Sequence, residues 1–170
     1  MEFKIKNKMV GDGSPVFFIA EAGVNHNGSI DLGKKLIDVA FAAGADAVKF
    51  QTFKTEKIIS KNAPKSTYHI ETTGNDDDQT WFELLKTQEM SRNMHLELIE
   101  HCRKIGIIFL STPYDEESAD LLEELDVPAF KIASTDTSNI PLLSYIAAKG
   151  LPMILSTAMA TMDEVESAVK

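Results

Sequence analysis

The sequence predicts an α/β fold built around a parallel β-sheet. Short apolar runs alternate with amphipathic stretches along the chain, a pattern typical of strands joined by right-handed helical crossovers. The apolar runs are continuous rather than interrupted by polar residues, as expected for strands that are covered on both faces. Five such strands are predicted, at residues 16–20, 47–51, 107–110, 129–133 and 152–155.

The predicted helices begin at residues that cap helix N-termini, and several end at glycine. Ser29 precedes apolar residues at helical spacing, and Gly44 follows them. The later caps are Ser91, Asp115, Asn139 and a capping box formed by Thr161 and Glu164. Residues 1–14 are predicted to form a hairpin ahead of the main domain, which spans residues 15–170. The polar stretch at 55–79 is predicted to be a functional or mobile loop.

Composition narrows the class of protein. The 170 residues carry a formal net charge of −9, which argues against a general nucleic-acid binder. The sequence has no apolar run long enough for a membrane span, and its first residues lack the apolar core of a signal peptide. The single cysteine, Cys102, suits a reducing compartment, so a cytoplasmic protein is expected.

Polar side chains stand at the carboxyl ends of the predicted strands, where α/β folds build active sites. Lys49 and Lys131 are the most informative, because a lysine inside an apolar run is costly to bury without an anionic partner. Each could capture a substrate phosphate or carboxylate, form a Schiff base with a carbonyl, or pair structurally with a neighbouring carboxylate. Two lysines among hydroxyl and amide side chains favour anion capture.

Other reactive residue types give weaker signals. The four histidines show no metal-ligand spacing. His26 is expected to hydrogen-bond within its own loop, and Cys102 to pack in the core of its helix.

Five motifs, in order along the chain, resemble the sialic acid synthase family, which includes N-acetylneuraminate, legionaminate and pseudaminate synthases and their spore-coat relatives. One such motif alone is a weak signal, whereas five in order are specific. The motifs are EAGVNHNG at residues 21–28, VKFQT at 48–52, FLSTP at 109–113, FKIAS at 130–134 with NIP at 139–141, and ILST at 154–157.

The resemblance implies a TIM-type (β/α) barrel and a transferase. The enzyme would condense phosphoenolpyruvate with an N-acylated amino sugar such as N-acetylmannosamine, giving a nine-carbon 2-keto sugar acid and phosphate. Glu21, Lys49 and Lys131 are implied as catalytic residues, with Glu21 near the reacting end of the sugar. The implied substrate-binding residues are Gln51, Asn75, Thr112, Ser134, Asp136 and Ser156.

The resemblance also implies a divalent metal, manganese or magnesium, whose ligands in the full-length family lie outside this chain. A complete eight-unit barrel takes about 250 residues. The chain is therefore expected to supply about five β/α units of a truncated barrel, to have little activity alone, and to form a homo-oligomer through its open sheet edges. Two alternatives are a Schiff-base aldolase using Lys49 or Lys131, and a non-catalytic fragment that binds a ligand or partner.

Overall fold

The computed structural model describes residues 2–65, 70–71 and 80–170. Its main sheet has five parallel strands that lie side by side in chain order. They are β3 (Ile19–Gly23), β4 (Ala47–Thr52), β5 (Ile108–Pro113), β6 (Phe130–Ile132) and β7 (Met153–Leu155). Ahead of them, β1 (Glu2–Ile5) and β2 (Lys8–Gly11) form an antiparallel hairpin.

The parallel α/β fold predicted from the sequence is confirmed. Within the described residues, β3 and β7 are the outer strands of the sheet, and each pairs with a single neighbour. Closure into a TIM-type barrel therefore stays a prediction.

Helices connect the strands, and their predicted N-caps are confirmed. The Ser29, Ser91, Asp115 and Asn139 side chains each accept a backbone N–H from the first turn, and Thr161 and Glu164 form the expected capping box. The helices are α1 (Ile30–Ala42), α2 (Thr55–Ile58), α3 (Trp81–Gln88), α4 (Arg92–Ile105), α5 (Glu116–Glu124), α6 (Ile140–Ala147) and α7 (Met162–Ala168). Among the residues that the structure describes, no helix is long and apolar enough to cross a membrane.

Three predicted elements begin or end more than one residue away from their predicted positions. The third strand, predicted at residues 107–110, extends to Pro113. The first parallel strand begins at Ile19 rather than at residue 16, and the Val16 side chain is exposed. The Phe18 carbonyl oxygen accepts hydrogen bonds from the N–H groups of Asp46 and Ala47, at the start of β4. Pairing of the two strands therefore begins next to Phe18, and β3 starts three residues later than predicted. The stretch predicted as a loop from residue 55 begins instead with a helical turn, α2.

Side chains on the two faces of the sheet serve different purposes, because successive residues of a strand point to opposite faces. On the outer face, Val48 and Phe50 of β4 pack with Phe109 of β5 against Ile37 of α1 and Leu98 of α4. These residues are almost fully buried and form the main core.

The inner face of the sheet is closed at its amino end by the hairpin. Ile5 is fully buried there against Ala47, Ile108, Leu110 and Ala129. On each strand, the residue two positions after this apolar cluster lies on the same face and has a polar side chain. These are Lys49 and then Gln51 after Ala47, Thr112 after Leu110, and Lys131 after Ala129.

Candidate active site

Lys49 lies at the centre of the inner face and joins three strands. Its side chain is 7% exposed, and its Nζ lies 2.9 Å from Oε2 of Glu21, which stands opposite it in the β3–β4 register. Lys49 Nζ also lies 3.4 Å from Oγ1 of Thr112 on β5. The Glu21 side chain is 61% exposed, so this ion pair is buried at its lysine end and open to solvent at its carboxylate end.

Lys131 is in a different electrostatic position. Its ammonium group donates to the Ile132 carbonyl oxygen at 2.7 Å and contacts Oγ of Ser156, both neutral groups. Among the described residues, no carboxylate lies within ion-pair distance of Lys131. Burial lowers the pKa of Lys131, the positive charge of Lys49 lowers it further, and Glu21 opposes both effects. The two lysines are therefore close enough to affect each other electrostatically, and only Lys49 forms an ion pair with Glu21.

The turn that follows β6 connects Lys131 to the end of β7. Ser134–Asp136 form a 3-10 turn, and Thr137 Oγ1 lies 3.1 Å from the Ser134 carbonyl oxygen and 3.0 Å from that of Ser156. Asn139 donates to Oδ1 of Asp136 at 3.2 Å. This turn fixes the carboxylate of Asp136 beside the two strand ends.

A cleft of about 1030 Å³ opens above the carboxyl ends of the strands. Three of the predicted site residues, Glu21, Gln51 and Asp136, line it. Ser134 lies instead at a smaller cavity of about 160 Å³. Lys49, Thr112, Lys131 and Ser156 contact one another or Glu21 beneath the cleft, and Asn75 lies outside the described residues.

The lining of the cleft also includes apolar side chains that were not predicted from the sequence. Helix α3 supplies Trp81, Leu84 and Leu85, and α2 with the residue after it supplies Ile58 and Ile59. A signal was present in the sequence, because Thr80 and Glu83 form a capping box immediately around Trp81. The spacing of Trp81, Leu84 and Leu85 is that of one helical face.

Tyr114 was also missed. It follows β5 directly, lines the cleft, and packs edge-to-face on Phe53 with ring centroids 6.3 Å apart. Burial raises the pKa of Tyr114 to about 12, and the negative charges of Asp136 and Glu21 add to the increase. Its phenol therefore keeps its proton at neutral pH and is available as a hydrogen-bond donor.

A buried polar chain supports the strand ends from the outer face. His95 Nδ1 lies 2.9 Å from the Ser91 carbonyl oxygen, which can only accept, so we assign the proton to Nδ1. His95 Nε2 then accepts from Thr52 Oγ1 at 2.9 Å, and Thr52 accepts from Ser111 Oγ at 2.7 Å. This chain ties α4 to the carboxyl ends of β4 and β5.

His26 holds the loop that follows β3, as predicted. Its ring is fully buried, and Nδ1 accepts from the Gly28 N–H at 3.0 Å. Its ring centroid lies 6.0 Å from that of Phe50. Burial lowers the pKa of His26 to about 4, and the nearby His95 contributes. Cys102 is likewise confirmed as a buried core residue.

The described residues do not fit a metal ion. In the ranges 2–65, 70–71 and 80–170, no three His, Cys, Asp or Glu side chains come together as a ligand set. Glu21 is already paired with Lys49, and Asp136 accepts from Asn139. We therefore derive no chemical step through a metal.

Comparison with known proteins gives consistent matches over most of the chain. The N,N'-diacetyllegionaminic acid synthase of Campylobacter jejuni is 49% identical over 151 residues, which is 89% of this chain and 45% of the relative. The human N-acetylneuraminate-9-phosphate synthase is 37% identical over 156 residues, which is 92% of this chain and 43% of the relative.

A solved structure agrees with these relatives. The N-acetylneuraminic acid synthetase of Leptospira borgpetersenii superposes with a TM-score of 0.85 at 36% identity, over 99% of this chain and 54% of that one. The chain thus spans about half the length of the proteins it matches. Residues 36–170 match the NeuB family. These matches are consistent with the five parallel strands and the two lysines of the inner face. The chain belongs to the NeuB family, whose matched members include sialic-acid-type synthases.

Proposed function

We propose that the chain forms the phosphoenolpyruvate-binding part of a sialic-acid-type synthase, within a TIM-type barrel. The observation that carries the proposal is Lys131, a half-buried ammonium group beside Lys49 that has no carboxylate partner in the described part of the chain. Such a charge is poised for an anion. Phosphoenolpyruvate carries a carboxylate and a phosphate, and two lysines with adjacent hydroxyls match both groups.

In the proposed reaction, the C2–C3 π electrons of phosphoenolpyruvate form a bond from C3 to the aldehyde carbon of an N-acyl amino sugar, and the aldehyde oxygen takes up a proton to become a hydroxyl. Water then adds at C2 and gives up its protons, the C2–O bond to the phosphate breaks, and inorganic phosphate and the 2-keto group form. Lys49 and Lys131 would hold the anionic groups, with Thr112 and Ser156 as hydroxyl donors. Glu21 and Gln51 line the cleft above them and would orient the sugar by accepting and donating hydrogen bonds.

The catalytic contribution of these residues is electrostatic and positional. The Lys49 ammonium is fixed by Glu21 and Thr112 before any ligand binds, so little reorganisation is required when negative charge develops. Asp136 and Tyr114 lie at the same mouth and would contact the sugar hydroxyls. Asn75 and Ser134 are further proposed substrate contacts.

A divalent metal, manganese or magnesium, is proposed for the full-length synthase, with ligands outside the described residues. We propose that the chain alone catalyses the reaction slowly or not at all, because the described residues supply five of the eight strands of the proposed barrel.

Direct binding tests this function without requiring turnover. We expect calorimetry to show phosphoenolpyruvate binding to the full chain, and Lys131→Met to weaken it by about 10-fold or more, as expected for loss of a charge-assisted contact. Lys34→Met is the matched control, because Lys34 forms an exposed pair with Glu97 on the helical side. Equal binding by the Lys131 variant and the wild type would contradict the proposal.

A Schiff-base aldolase is the second candidate, and the lowered pKa of Lys131 favours it, because a deprotonated amine is the required nucleophile. Incubation with pyruvate and borohydride, followed by mass spectrometry, distinguishes the two. A covalent adduct on Lys131 supports the aldolase, whereas reversible phosphoenolpyruvate binding without an adduct supports the synthase.

Assembly and location are also proposed. Within the described residues, β3 and β7 each pair with a single strand, and an outer strand of this kind can pair with another copy of the chain, which favours a homo-oligomer. Light scattering tests this, and a strict monomer over a wide concentration range would contradict it. The free, buried thiol of Cys102 suits the cytoplasm.

A further inference from the structure

We propose that a second cavity, at the amino ends of β5 and β6, binds a free amino acid with an aliphatic side chain. This amino-end cavity has a volume of about 350 Å³. It is lined by residues of the hairpin turn, of α4, of the start of β5 and of the segment between α5 and β6. It shares no lining residue with the cleft at the carboxyl ends of the strands, so a ligand here would occupy a separate site.

Most of the residues that line the amino-end cavity are apolar. Ile107, Leu125 and Val127 are nearly fully buried, and α4 adds the partly buried side chain of Ile99. A largely apolar lining with a few polar groups is typical of small-molecule sites, whose volumes run from about 300 to 1,000 Å³. An aliphatic group that entered this cavity would leave water, and its burial would favour binding.

Three exposed charged side chains complete the lining: Lys6 in the hairpin turn, Arg103 on α4 and Asp126 after α5. Within residues 2–65, 70–71 and 80–170, Lys6 and Asp126 form no ion pair with each other or with any other side chain. Arg103 pairs with Glu100 of its own helix at 3.0 Å, and such exposed pairs contribute little to stability. The cavity therefore holds an ammonium group and a carboxylate that do not neutralise each other.

The charge of Lys6 is felt at the lining of the cavity. Cys102 lines the same cavity and is 1% exposed. Burial raises the pKa of Cys102 to about 12, and the positive charge of Lys6 opposes this increase. The ammonium group of Lys6 is therefore close enough to the lining to attract a carboxylate that enters the cavity.

These charges favour a zwitterion over a ligand with a single charge. A ligand carboxylate can pair with Lys6 and Arg103, and a ligand ammonium group can pair with Asp126. A simple carboxylic acid would leave Asp126 without a partner, and a simple amine would leave Lys6 without one. A free amino acid carries both charges on one carbon atom, and an aliphatic side chain on that carbon matches the apolar residues of the cavity.

Calorimetry with the full chain tests this inference with four compounds: L-leucine, 4-methylpentanoate, 3-methylbutylamine and glycine. The second compound lacks only the ammonium group of leucine, the third lacks only its carboxylate, and glycine lacks only its side chain. We expect leucine to bind about fivefold more tightly than either singly charged analogue, as expected for one additional exposed ion pair. Leucine should bind at least about 10-fold more tightly than glycine, because glycine buries no aliphatic group.

Variants test whether the two unpaired charges cause this ranking. Lys6→Met is expected to remove the advantage of leucine over 3-methylbutylamine, and Asp126→Asn its advantage over 4-methylpentanoate. Lys4→Met is the matched control, because Lys4 is an exposed lysine of the same hairpin that does not line the cavity. If either variant fails to fold by circular dichroism, the ranking of the four compounds on the wild type decides.

A final titration with saturating phosphoenolpyruvate separates this cavity from the cleft. Leucine should still bind, because the two sites have no lining residue in common. Competitive displacement of leucine by phosphoenolpyruvate, equal or tighter binding of either singly charged analogue, or no binding of leucine would overturn the inference. Failure of phosphoenolpyruvate to bind would instead contradict the proposed function, and the measurements with leucine would stand.

Discussion

Replacing His26 with asparagine should make the free energy of unfolding depend less on pH below pH 6.5. His26 is fully buried, and its pKa of about 4 lies below the ordinary value of 6.5, so the folded chain resists protonation where the unfolded chain accepts it. The stabilisation is complete above pH 6.5 and is lost as the pH falls from 6.5 toward 4. Across this window the loss amounts to about 3 kcal/mol, and at pH 5 it is about 2 kcal/mol.

Asparagine keeps an acceptor for the Gly28 N–H but cannot titrate. At pH 7.5 we expect His26→Asn to lower the free energy of unfolding by about 2 kcal/mol, because the ring no longer packs on Phe50. Urea unfolding at intervals from pH 7.5 to 4.5 measures both effects. The gap between variant and wild type should narrow as the pH falls, close near pH 5, where the wild type has lost about 2 kcal/mol, and reverse by pH 4.5.

His101→Gln is the matched control, because His101 lies on the surface with Nε2 2.6 Å from Asp38 Oδ1. This variant should retain the decline that belongs to His26. The reasoning is refuted if His26→Asn and the wild type lose stability in parallel from pH 7.5 to 4.5.

Three further substitutions test packing. Ile5→Ala should lower the unfolding free energy by about 3 kcal/mol in urea, because it empties the hairpin's contact with the sheet; an effect below about 1 kcal/mol would contradict this. Gly28→Ala should cost at least about 1 kcal/mol more than Gly44→Ala in the same assay. Both glycines have positive φ, but only at Gly28 would the new Cβ lie 2.6 Å from the Thr87 carbonyl oxygen. Thr52→Val should cost about 2 kcal/mol in thermal unfolding, because it leaves buried partners unpaired, and a neutral result would argue against the polar chain.

Local signals in the sequence were sufficient to predict where five of the helices begin. Ser29 and Asp115 cap helices because the required side chain and the N–H it binds lie within three residues of each other. Alternation of side chains along β4 likewise placed Lys49 and Gln51 on one face. These features depend on neighbours in the chain, which a single sequence displays directly.

Features that depend on distant residues were harder to predict. The start of β3 was misplaced because Val16 and Phe18 are apolar but lie before the sheet, where Phe18 bonds to Asp46. The partner of Lys49 could not be chosen between substrate and carboxylate until the strand register set Glu21 beside it. The capping box predicts a helix at Trp81, but that this helix lines the cleft depends on residues distant in the sequence and could not be predicted.

The alternation of side chains between the two faces of β4 places Lys49 on the inner face, and it also affects which register the strands adopt during folding. A one-residue slip of β4 would drive Lys49 into the space under the helices that Val48 and Phe50 occupy. An unpaired ammonium group there costs several kcal/mol, so the misaligned sheet is strongly disfavoured. Lys49, which is proposed to bind substrate, thus also favours the native register of β4 over the shifted one. An apolar replacement of Lys49 would weaken this preference for the native register as well as ligand binding.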